Sequence, residues 1–328
     1  MKKILITGGL GQIGTELALL LRKNYGNNNV IVTDIVHKNE QEIYETGPFE
    51  ILNCVDASAI DRLAKKYHID TIIHLASLLS AVAEAKPQVA FEVNLMGLYN
   101  VLEVARENKL SVFTPSSIGA FGPSTPKIMT PQDTVQRPTT MYGVTKAAGE
   151  LLCDYYHKRF GVDTRGVRFP GLISYKTIPG GGTTDYAVEI FYDALKYGKY
   201  ASPIAQGTKM DMMYLPDALN AVIELMEANP DNLIHRNAFN ITAMSFAPEE
   251  LAAEIQKELP DFKFKYNVDP ILQAIADSWP DLLDDTCAKE EWGWQPQYDL
   301  PTMTKDMLKN LKKKFINIEE EEKNEQSE

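Results

Sequence analysis

The feature that most constrains the fold is a glycine-rich segment between a short apolar run and an amphipathic run. "ILITGGLGQIG" places Gly8, Gly11 and Gly14 between a predicted strand and a predicted helix. Gly8 permits a tight turn, Gly11 lets the backbone approach a pyrophosphate, and Gly14 lets helix and strand pack closely. The helix N-terminus offers N–H groups to phosphate oxygens. The segment predicts a dinucleotide site that also uses Gln12 and Ile13; a tight turn without a ligand is the alternative.

The second predicted strand selects the cofactor. "VIVTD" ends in Asp34, 20 positions after Gly14, where a carboxylate can accept both hydroxyls of an adenosine ribose. The same carboxylate would repel a 2′-phosphate, and the neighbouring Ile35 and Val36 carry no compensating cation. NAD is therefore favoured over NADP, with Ile35 beside the adenosine. A simple cap at the strand end is the other interpretation of Asp34.

The first half of the chain alternates short apolar runs with helical patterns. "KILIT", "VIVTD", "FEILNC", "TIIHLA" and "LSVFTP" are predicted strands, with helices from Gln12, Ser58 and Pro87 between them. This order is typical of parallel βαβ units. The runs are apolar throughout, as expected where helices cover both faces of a sheet. We predict an α/β fold with a Rossmann-type doubly wound parallel sheet and a smaller C-terminal substrate-binding lobe.

Domain boundaries follow from the change of pattern near Arg168. Residues 1–168 are predicted to form mainly the NAD-binding domain. Residues 169–318, rich in Pro and Gly loops, are predicted to form mainly the substrate-binding lobe, interleaved with late elements of the first domain. The acidic segment 319–328, "EEEEKNEQSE", lacks apolar anchors and is predicted to be disordered.

Composition excludes several classes of partner. A net charge of −12 without a basic cluster argues against nucleic acid. Cys54, Cys153 and Cys287 are widely separated, which argues against disulfides and thiolate metal sites, and the five histidines show no HxxxH or nearby cysteine spacing. No run of roughly 20 apolar residues exists and the N-terminal apolar run is too short for a signal peptide. We expect a cytoplasmic protein without a metal or a membrane partner.

Further cofactor contacts are predicted at the carboxyl ends of the strands. Asp56 follows the third strand, where it can reach the adenine amino group or cap the next helix. The loop after the fourth strand would cover the adenosine side, with His74 as a core histidine. "PGLIS" follows the sixth strand near the carboxamide end. The remaining candidates are Leu75, Ala76, Ser77, Asn94 and Leu172.

"YGVTK" and "PSSIGAFG" supply the predicted chemistry. Tyr142 and Lys146 are four residues apart and share a helical face. A phenol needs a nearby cation to act as a base near neutral pH, and Lys146 is that cation. Ser117 follows the fifth strand and can hold a substrate oxygen against the phenol. With a hydride acceptor in the nucleotide site, the three residues predict alcohol oxidation; a surface tyrosine stacked on a lysine is the alternative.

These motifs, with "NLMGLYNVLEVA" and "EEWGWQP", resemble the extended short-chain dehydrogenase/reductase family, whose members are NAD-dependent epimerases, dehydratases and dehydrogenases. Alignment of "PSSIGAFG" with the family pattern implies that Ser117, not Ser116, is the catalytic hydroxyl. Most such members act on nucleotide-diphosphate sugars through an arginine, but "MDMMYLPD" puts Met210 at that position. A methionine cannot pair with phosphate, and the run itself is typical of a buried strand.

"PSSIGAFGP", "YGVTK", "RFPGLIS" and "PGGGTTDYAVEI" are together similar to the L-threonine 3-dehydrogenase branch of this family. This resemblance implies oxidation of the C3 hydroxyl of L-threonine by NAD to 2-amino-3-oxobutanoate, in a homodimer without metal. It also implies an amino-acid pocket lined by Ser80, Ser117, Tyr142, Gly182, Thr183 and Thr184. No group that would neutralise the substrate ammonium is evident. A nucleotide-sugar epimerase or dehydratase and a non-catalytic redox-sensing NAD-binding protein remain as alternatives.

Two predicted helices, residues 88–108 and 142–160, are apolar around most of their circumference. Such helices are buried on two sides. They can pair across a two-fold axis as the four-helix core of a homodimer, or they can be covered within one chain.

Overall fold

The computed structural model of this chain describes residues 1–38, 41–176 and 182–325, with side chains as far as residue 316. The strands are β1 Ile4–Thr7, β2 Val30–Asp34, β3 Phe49–Ile51, β4 Thr71–His74, β5 Ser111–Phe113, β6 Ser116–Ser117, β7 Thr164–Arg165, β8 Val167–Phe169, β9 Gly171–Ile173, β10 Lys199–Ser202, β11 Met210–Tyr214, β12 Phe239–Asn240, β13 Met244–Phe246 and β14 Lys263–Tyr266.

The helices are α1 Gln12–Tyr25, α2 Gln41–Thr46, α3 Ala57–Lys66, α4 Ser80–Ala85, α5 Pro87–Ala90, α6 Gly97–Asn108, α7 Met141–Phe160, α8 Tyr186–Tyr197, α9 Leu215–Glu227, α10 Pro248–Glu258, α11 Pro270–Ala276, α12 Thr286–Trp292 and α13 Leu300–Glu325. Within the described residues, each helix is too short or too polar to span a lipid bilayer.

The central sheet is parallel and has the order β3-β2-β1-β4-β5-β7. The strand order reverses between β1 and β4, so a crevice opens there at the carboxyl ends of the strands. The predicted fold class, an α/β Rossmann-type parallel sheet, is thereby confirmed. The crevice is where the sequence placed the nucleotide.

Strand β1 explains why these strands are apolar throughout. Ile4 and Ile6 pack on one face of the sheet in a core shared with α1 and α9, whereas Leu5 packs on the other face with α3 and α6. Because helices cover both faces, each residue of the strand is buried.

The predicted helix 88–108 differs from a regular helix in its middle. Between α5 and α6 the chain forms a π-helical segment, Phe91–Met96. The wider turn directs Asn94 inward, where its side chain accepts from the Leu78 N–H at 2.7 Å and donates to the Leu78 carbonyl at 3.1 Å. Its amide also lies 3.3 Å from the Thr145 hydroxyl on α7. The irregular turn therefore fixes the loop after β4 and ties it to α7.

The C-terminal part adds a second core around β11. Met210–Tyr214 is buried along its whole length and lies between β9 and β13. The buried-strand interpretation of the methionine run is confirmed. Helices α8, α10 and α13 pack on the same core. The division at residues 168 and 318 stays a prediction. So does the disorder of 319–328, where the structure describes a helical backbone to Glu325 and does not describe residues 326–328.

Candidate active site

The glycine loop has the geometry that phosphate binding requires. Gly8 has a positive φ of +67°, and a Cβ there would lie 2.6 Å from the backbone nitrogen of Ala76. A Cβ on Gly14 would lie 2.7 Å from the carbonyl oxygen of Gly8, so both positions need glycine for packing. A Cβ on Gly11 would meet only that carbonyl, at 3.3 Å. Gly11 is the N-cap of α1 and makes no side-chain cap, so the start of α1 fits a pyrophosphate.

Asp34 lies next to this loop at the end of β2. Its Oδ2 accepts from the Leu10 N–H at 3.0 Å and its Oδ1 from the Ile35 N–H at 2.8 Å. These bonds hold the carboxylate beside the glycine loop, as an adenosine ribose site requires. Lys38 also reaches the glycine loop, since its Nζ donates to the Leu10 carbonyl at 3.0 Å. The sequence analysis did not include this lysine among the residues of the nucleotide site.

Asp56 caps a helix in this structure. Its carboxylate accepts from the Ala59 N–H at 2.9 Å at the start of α3. The capping interpretation is confirmed, while contact with adenine stays a prediction.

The Ser, Tyr and Lys side chains converge because β6 and the first turns of α7 meet at one edge of the sheet. Thr140 caps α7 by accepting from the Gly143 N–H at 3.1 Å. The Ser117 hydroxyl hydrogen-bonds to the Tyr142 phenol. Gly119 packs on the phenol, and a Cβ there would lie 3.1 Å from the ring. The catalytic candidates Ser117, Tyr142 and Lys146 line one cavity.

The electrostatics differ from the sequence-based expectation. Burial raises the pKa of Tyr142, and the hydrogen bond with Ser117 opposes that rise. The Nζ of Lys146 lies 5.5 Å from the ring centroid and donates to the Pro115 carbonyl at 2.9 Å, so the ammonium points at that carbonyl rather than at the phenol. Burial also lowers the pKa of Lys146 to about 8. The cation is therefore near the phenol but is directed elsewhere.

A buried ion pair behind Lys146 was missed by the sequence analysis. Glu150, one turn further along α7, contacts the Arg168 guanidinium through both oxygens at 3.0 and 2.8 Å. It also accepts from the Ser116 hydroxyl and, at 2.7 Å, from the Gln136 amide. Because the Ser116 hydroxyl already donates to Glu150, the Ser117 hydroxyl is the one available to a substrate.

His74 is a core residue, as predicted. Its Nδ1 lies 2.7 Å from the Thr7 hydroxyl, and the ring is buried. Burial, with a contribution from Lys146, lowers the pKa of His74 to about 3. The imidazole is neutral near pH 7.

A cavity of about 150 Å³ brings the cofactor and substrate candidates together. Twelve site candidates from the sequence line it: Gln12, Ile13, Leu75, Ser77, Ser80, Ser117, Tyr142, Lys146, Leu172, Gly182, Thr183 and Thr184. Ala76 and Asn94 instead line a smaller cavity of about 20 Å³ beside Lys146. Asp34, Ile35 and Asp56 are not among the described lining residues of either cavity, as expected of the distant adenosine end.

The substrate side of the cavity contains two residues that the sequence analysis missed. Trp279 comes from the segment after α11, about 100 positions from the threonine loop, so no local motif points to it. Asp185 follows the predicted loop directly and accepts from the Gly182 N–H at 2.7 Å. The Thr183 hydroxyl is buried and has no hydrogen-bond partner among the described residues.

Fold and site together define a class of protein: a dinucleotide-dependent α/β enzyme with a buried phenol, a serine and a lysine at the cofactor edge. The model of the NAD-dependent epimerase/dehydratase family matches residues 4–242. The chain belongs to this family, it is an NAD-dependent oxidoreductase, and its cofactor is NAD. The family and cofactor predictions are confirmed.

Three similar proteins show which members of the family this chain is most usefully compared with. An uncharacterized epimerase/dehydratase of Staphylococcus saprophyticus is 59% identical over 94% of this chain and 96% of its own. The structure of an L-threonine dehydrogenase from Clostridium difficile is 63% identical, with a TM-score of 0.94 over 96% of this chain and 98% of its own. A monomeric L-threonine 3-dehydrogenase from a metagenome is 44% identical, with a TM-score of 0.90 over 94% and 99% of the two chains.

Proposed function

We propose that this protein oxidises the C3 hydroxyl of L-threonine to 2-amino-3-oxobutanoate with NAD. The observation that carries the proposal is that Ser117, Tyr142 and Lys146 line the same small cavity as Thr183 and Thr184. The 63% identity to an L-threonine dehydrogenase supports this substrate.

Each side chain has a role in the proposed reaction. Ser117 donates a hydrogen bond to the substrate oxygen, and the phenolate of Tyr142 removes the hydroxyl proton. NAD, when bound, supplies the ring carbon that accepts the hydride released from C3. Lys146 must first turn from the Pro115 carbonyl toward the phenol, since a nearby ammonium lowers the pKa that burial has raised. One proton and one hydride leave the alcohol, which becomes a ketone.

The lining of the cavity supports an amino acid rather than a nucleotide sugar. Its described lining residues include the carboxylate of Asp185 but no arginine that could pair with a diphosphate. Met210, at the position where the sugar-nucleotide members have an arginine, is fully buried in β11 and offers no positive charge.

Asp185 is the proposed partner of the substrate ammonium. It is the one carboxylate among the described lining residues of the cavity. The Gly182 N–H holds Oδ2, which orients the group. The unpartnered Thr183 hydroxyl and the amides of the loop suit the substrate carboxylate.

The test is a panel of amino acids and UDP-sugars mixed with enzyme and NAD, with NADH formation followed by absorbance. L-Threonine should give NADH. Tyr142→Phe should lose about 10²–10⁴-fold in kcat, whereas Tyr155→Phe, an exposed tyrosine on the same helix, should retain activity. Asp185→Asn should raise KM for threonine more than it lowers kcat.

A flat trace with threonine and turnover of a UDP-sugar without net NADH would favour an epimerase or dehydratase. Unchanged activities in Tyr142→Phe, with NAD affinity retained, would favour a non-catalytic NAD-binding protein.

We also propose a homodimer through α5, α6 and α7, and a cytoplasmic location. Large apolar side chains are exposed along these helices and along the π-helical turn between α5 and α6: Val89, Phe91, Met96, Tyr99, Val144, Leu151, Tyr155 and Phe160. Contiguous exposed apolar surface is typical of an interface. Light scattering should give twice the mass of one chain. Leu151→Glu, at a side chain that is 67% exposed, should give the mass of one chain; a wild-type monomer would refute the dimer.

A further inference from the structure

A cluster of metal-binding side chains lies where α12 meets the segment before β12. Cys287 and Glu291 are one turn apart on α12, and His235 comes from the facing segment. One ligand atom of each residue lies within 4.8 Å of the others. None of the three is among the described lining residues of the catalytic cavity. Spacing along the chain did not reveal the cluster, because His235 and Cys287 are 52 positions apart.

The three ligand atoms are close enough for small side-chain movements to bring them onto one ion. Zinc–nitrogen bonds of about 2.0–2.1 Å and zinc–sulfur bonds of about 2.3 Å put neighbouring ligand atoms roughly 3.3–3.8 Å apart. Because the three atoms lie within 4.8 Å of one another, each separation has to change by at most about 1.5 Å, and the contact between His235 and Glu291 has to widen. Rotation of the partly exposed His235 and Cys287 side chains can provide this change. His235 and Cys287 are both partly exposed, so an ion can enter from solvent.

Two of the three ligands are already held in position by other groups. Oε2 of Glu291 accepts from the N–H groups of Ile234 at 2.6 Å and His235 at 3.0 Å. Oε1 of the same carboxylate contacts Nδ1 of His235. The other imidazole nitrogen, Nε2, lies 3.5 Å from Oδ2 of Asp133. A carboxylate on the outer nitrogen of a histidine is typical of metal sites, since it fixes the ring and the tautomer.

The charge around the thiol also favours a cation. Four carboxylates lie near the Cys287 thiol: Glu291, Asp284, Asp133 and Glu290. A bound divalent ion reverses this electrostatic balance, because it replaces the thiol proton and offsets the neighbouring anions. Thiolate and imidazole ligands select zinc over magnesium or calcium.

We propose that His235, Cys287 and Glu291 bind one zinc-class divalent cation, with water in the fourth position. Binding joins α12 to the segment that leads into β12. The site is structural, and it is separate from the proposed dehydrogenase chemistry.

The test uses Cd²⁺ as a spectroscopic probe on full-length protein that has been treated with a chelator. Cd²⁺ should produce a thiolate charge-transfer band that saturates at one ion per chain, and Zn²⁺ should compete it away. Cys287→Ser should abolish the band, and Glu291→Gln should weaken Zn²⁺ binding at least about tenfold. Asp133→Asn, which changes the outer carboxylate, should weaken it about tenfold or less.

Cys54→Ser is the matched control, because Cys54 is a buried cysteine elsewhere in the fold, and it should leave the band unchanged. Zn²⁺ should raise the Tm of wild type but not of Cys287→Ser, and NADH formation by Cys287→Ser should stay at the wild-type level. If the band is absent, or equal in Cys287→Ser, the proposal is wrong and the cluster is only a His235–Glu291 ion pair beside an unrelated thiol.

Discussion

Glu150→Gln tests whether the ion pair behind the active site controls the charge of Lys146. The two side chains are four residues apart on α7, about 5–6 Å between Cβ atoms. At an effective dielectric constant of about 20, a full charge at roughly 6 Å contributes about 3 kcal/mol. Glu150 raises the pKa of Lys146 against the lowering by burial, which leaves it at about 8. Arg168 stays in place and partly offsets Glu150, so a net effect of about 1.4 kcal/mol, or one pH unit, is expected.

The direction of the pH shift follows from the protonation state of Lys146 that the reaction needs. The ammonium stabilises the phenolate, so activity is lost as pH rises through the pKa of Lys146. Removing the Glu150 carboxylate makes the ammonium less favourable, and the alkaline limb of the kcat profile should move down by about one pH unit. The assay is NADH formation at saturating threonine and NAD between pH 6 and pH 10, normalised to the folded fraction.

The same substitution should lower stability, because Arg168 is left buried without its carboxylate. Breaking a buried ion pair costs about 3–5 kcal/mol, and the retained amide oxygen of glutamine should hold the loss near 3 kcal/mol. Asp217→Asn is the control: Asp217 is a buried carboxylate that accepts from the N–H groups of Gln297 and Tyr298, each at 3.1 Å. If both variants lose stability and neither moves the alkaline limb, Glu150 is only structural and the electrostatic reasoning is wrong.

Three further predictions concern the cofactor site and the second core. Asp34→Ala should weaken NAD binding, measured by calorimetry, more than it lowers kcat at saturating NAD; equal affinity would refute the ribose role. Gly8→Ala should cost at least about 2 kcal/mol in denaturant unfolding, because φ is +67° and the new Cβ would meet backbone, whereas Gly198→Ala, with φ +63° and open space, should cost about 1 kcal/mol. Burial raises the pKa of Asp211 from 3.8 to about 8, so the folded state keeps a proton that the unfolded chain releases, and stability falls as pH rises from about 4 to 8. Asp211→Asn should remove this slope: between pH 4 and pH 8 the wild type should lose about 5 kcal/mol relative to the variant, since each pKa unit is worth about 1.4 kcal/mol.

The cofactor half of the site was predictable because its determinants are local. Gly8, Gly11 and Gly14 and the strand-ending Asp34 are read from short segments, and parallel strands bring their carboxyl ends to one edge without further information. Tyr142 and Lys146 were found for the same reason, since one helical turn separates them. Their orientation was not predictable: the contact of Lys146 with the Pro115 carbonyl depends on where β6 meets α7.

The groups that sequence reasoning missed depend on contacts between distant segments. Arg168 reaches Glu150 from β8, and Trp279 reaches the cavity from the segment after α11. Arg168 opens the "RFPGLIS" motif, but nothing in that motif points to Glu150, and Trp279 lies in no motif; an ion pair or a single lining residue leaves no spacing pattern. The π-helical turn at Asn94 was missed because one extra residue in a helix hardly changes its apolar pattern.

The unpartnered hydroxyl of Thr183 connects stability to substrate recognition. A buried hydroxyl without a hydrogen bond costs about 1–3 kcal/mol in the folded state, and this hydroxyl faces no acceptor or donor among the described residues. A ligand that supplies a carboxylate oxygen would satisfy the group and return that free energy as binding affinity. Thr183→Val removes the hydroxyl and keeps the shape, so it should leave the free protein equally or more stable while weakening threonine binding. The substrate side of the cavity is therefore built at some cost to the stability of the free protein, and bound substrate should recover part of that cost.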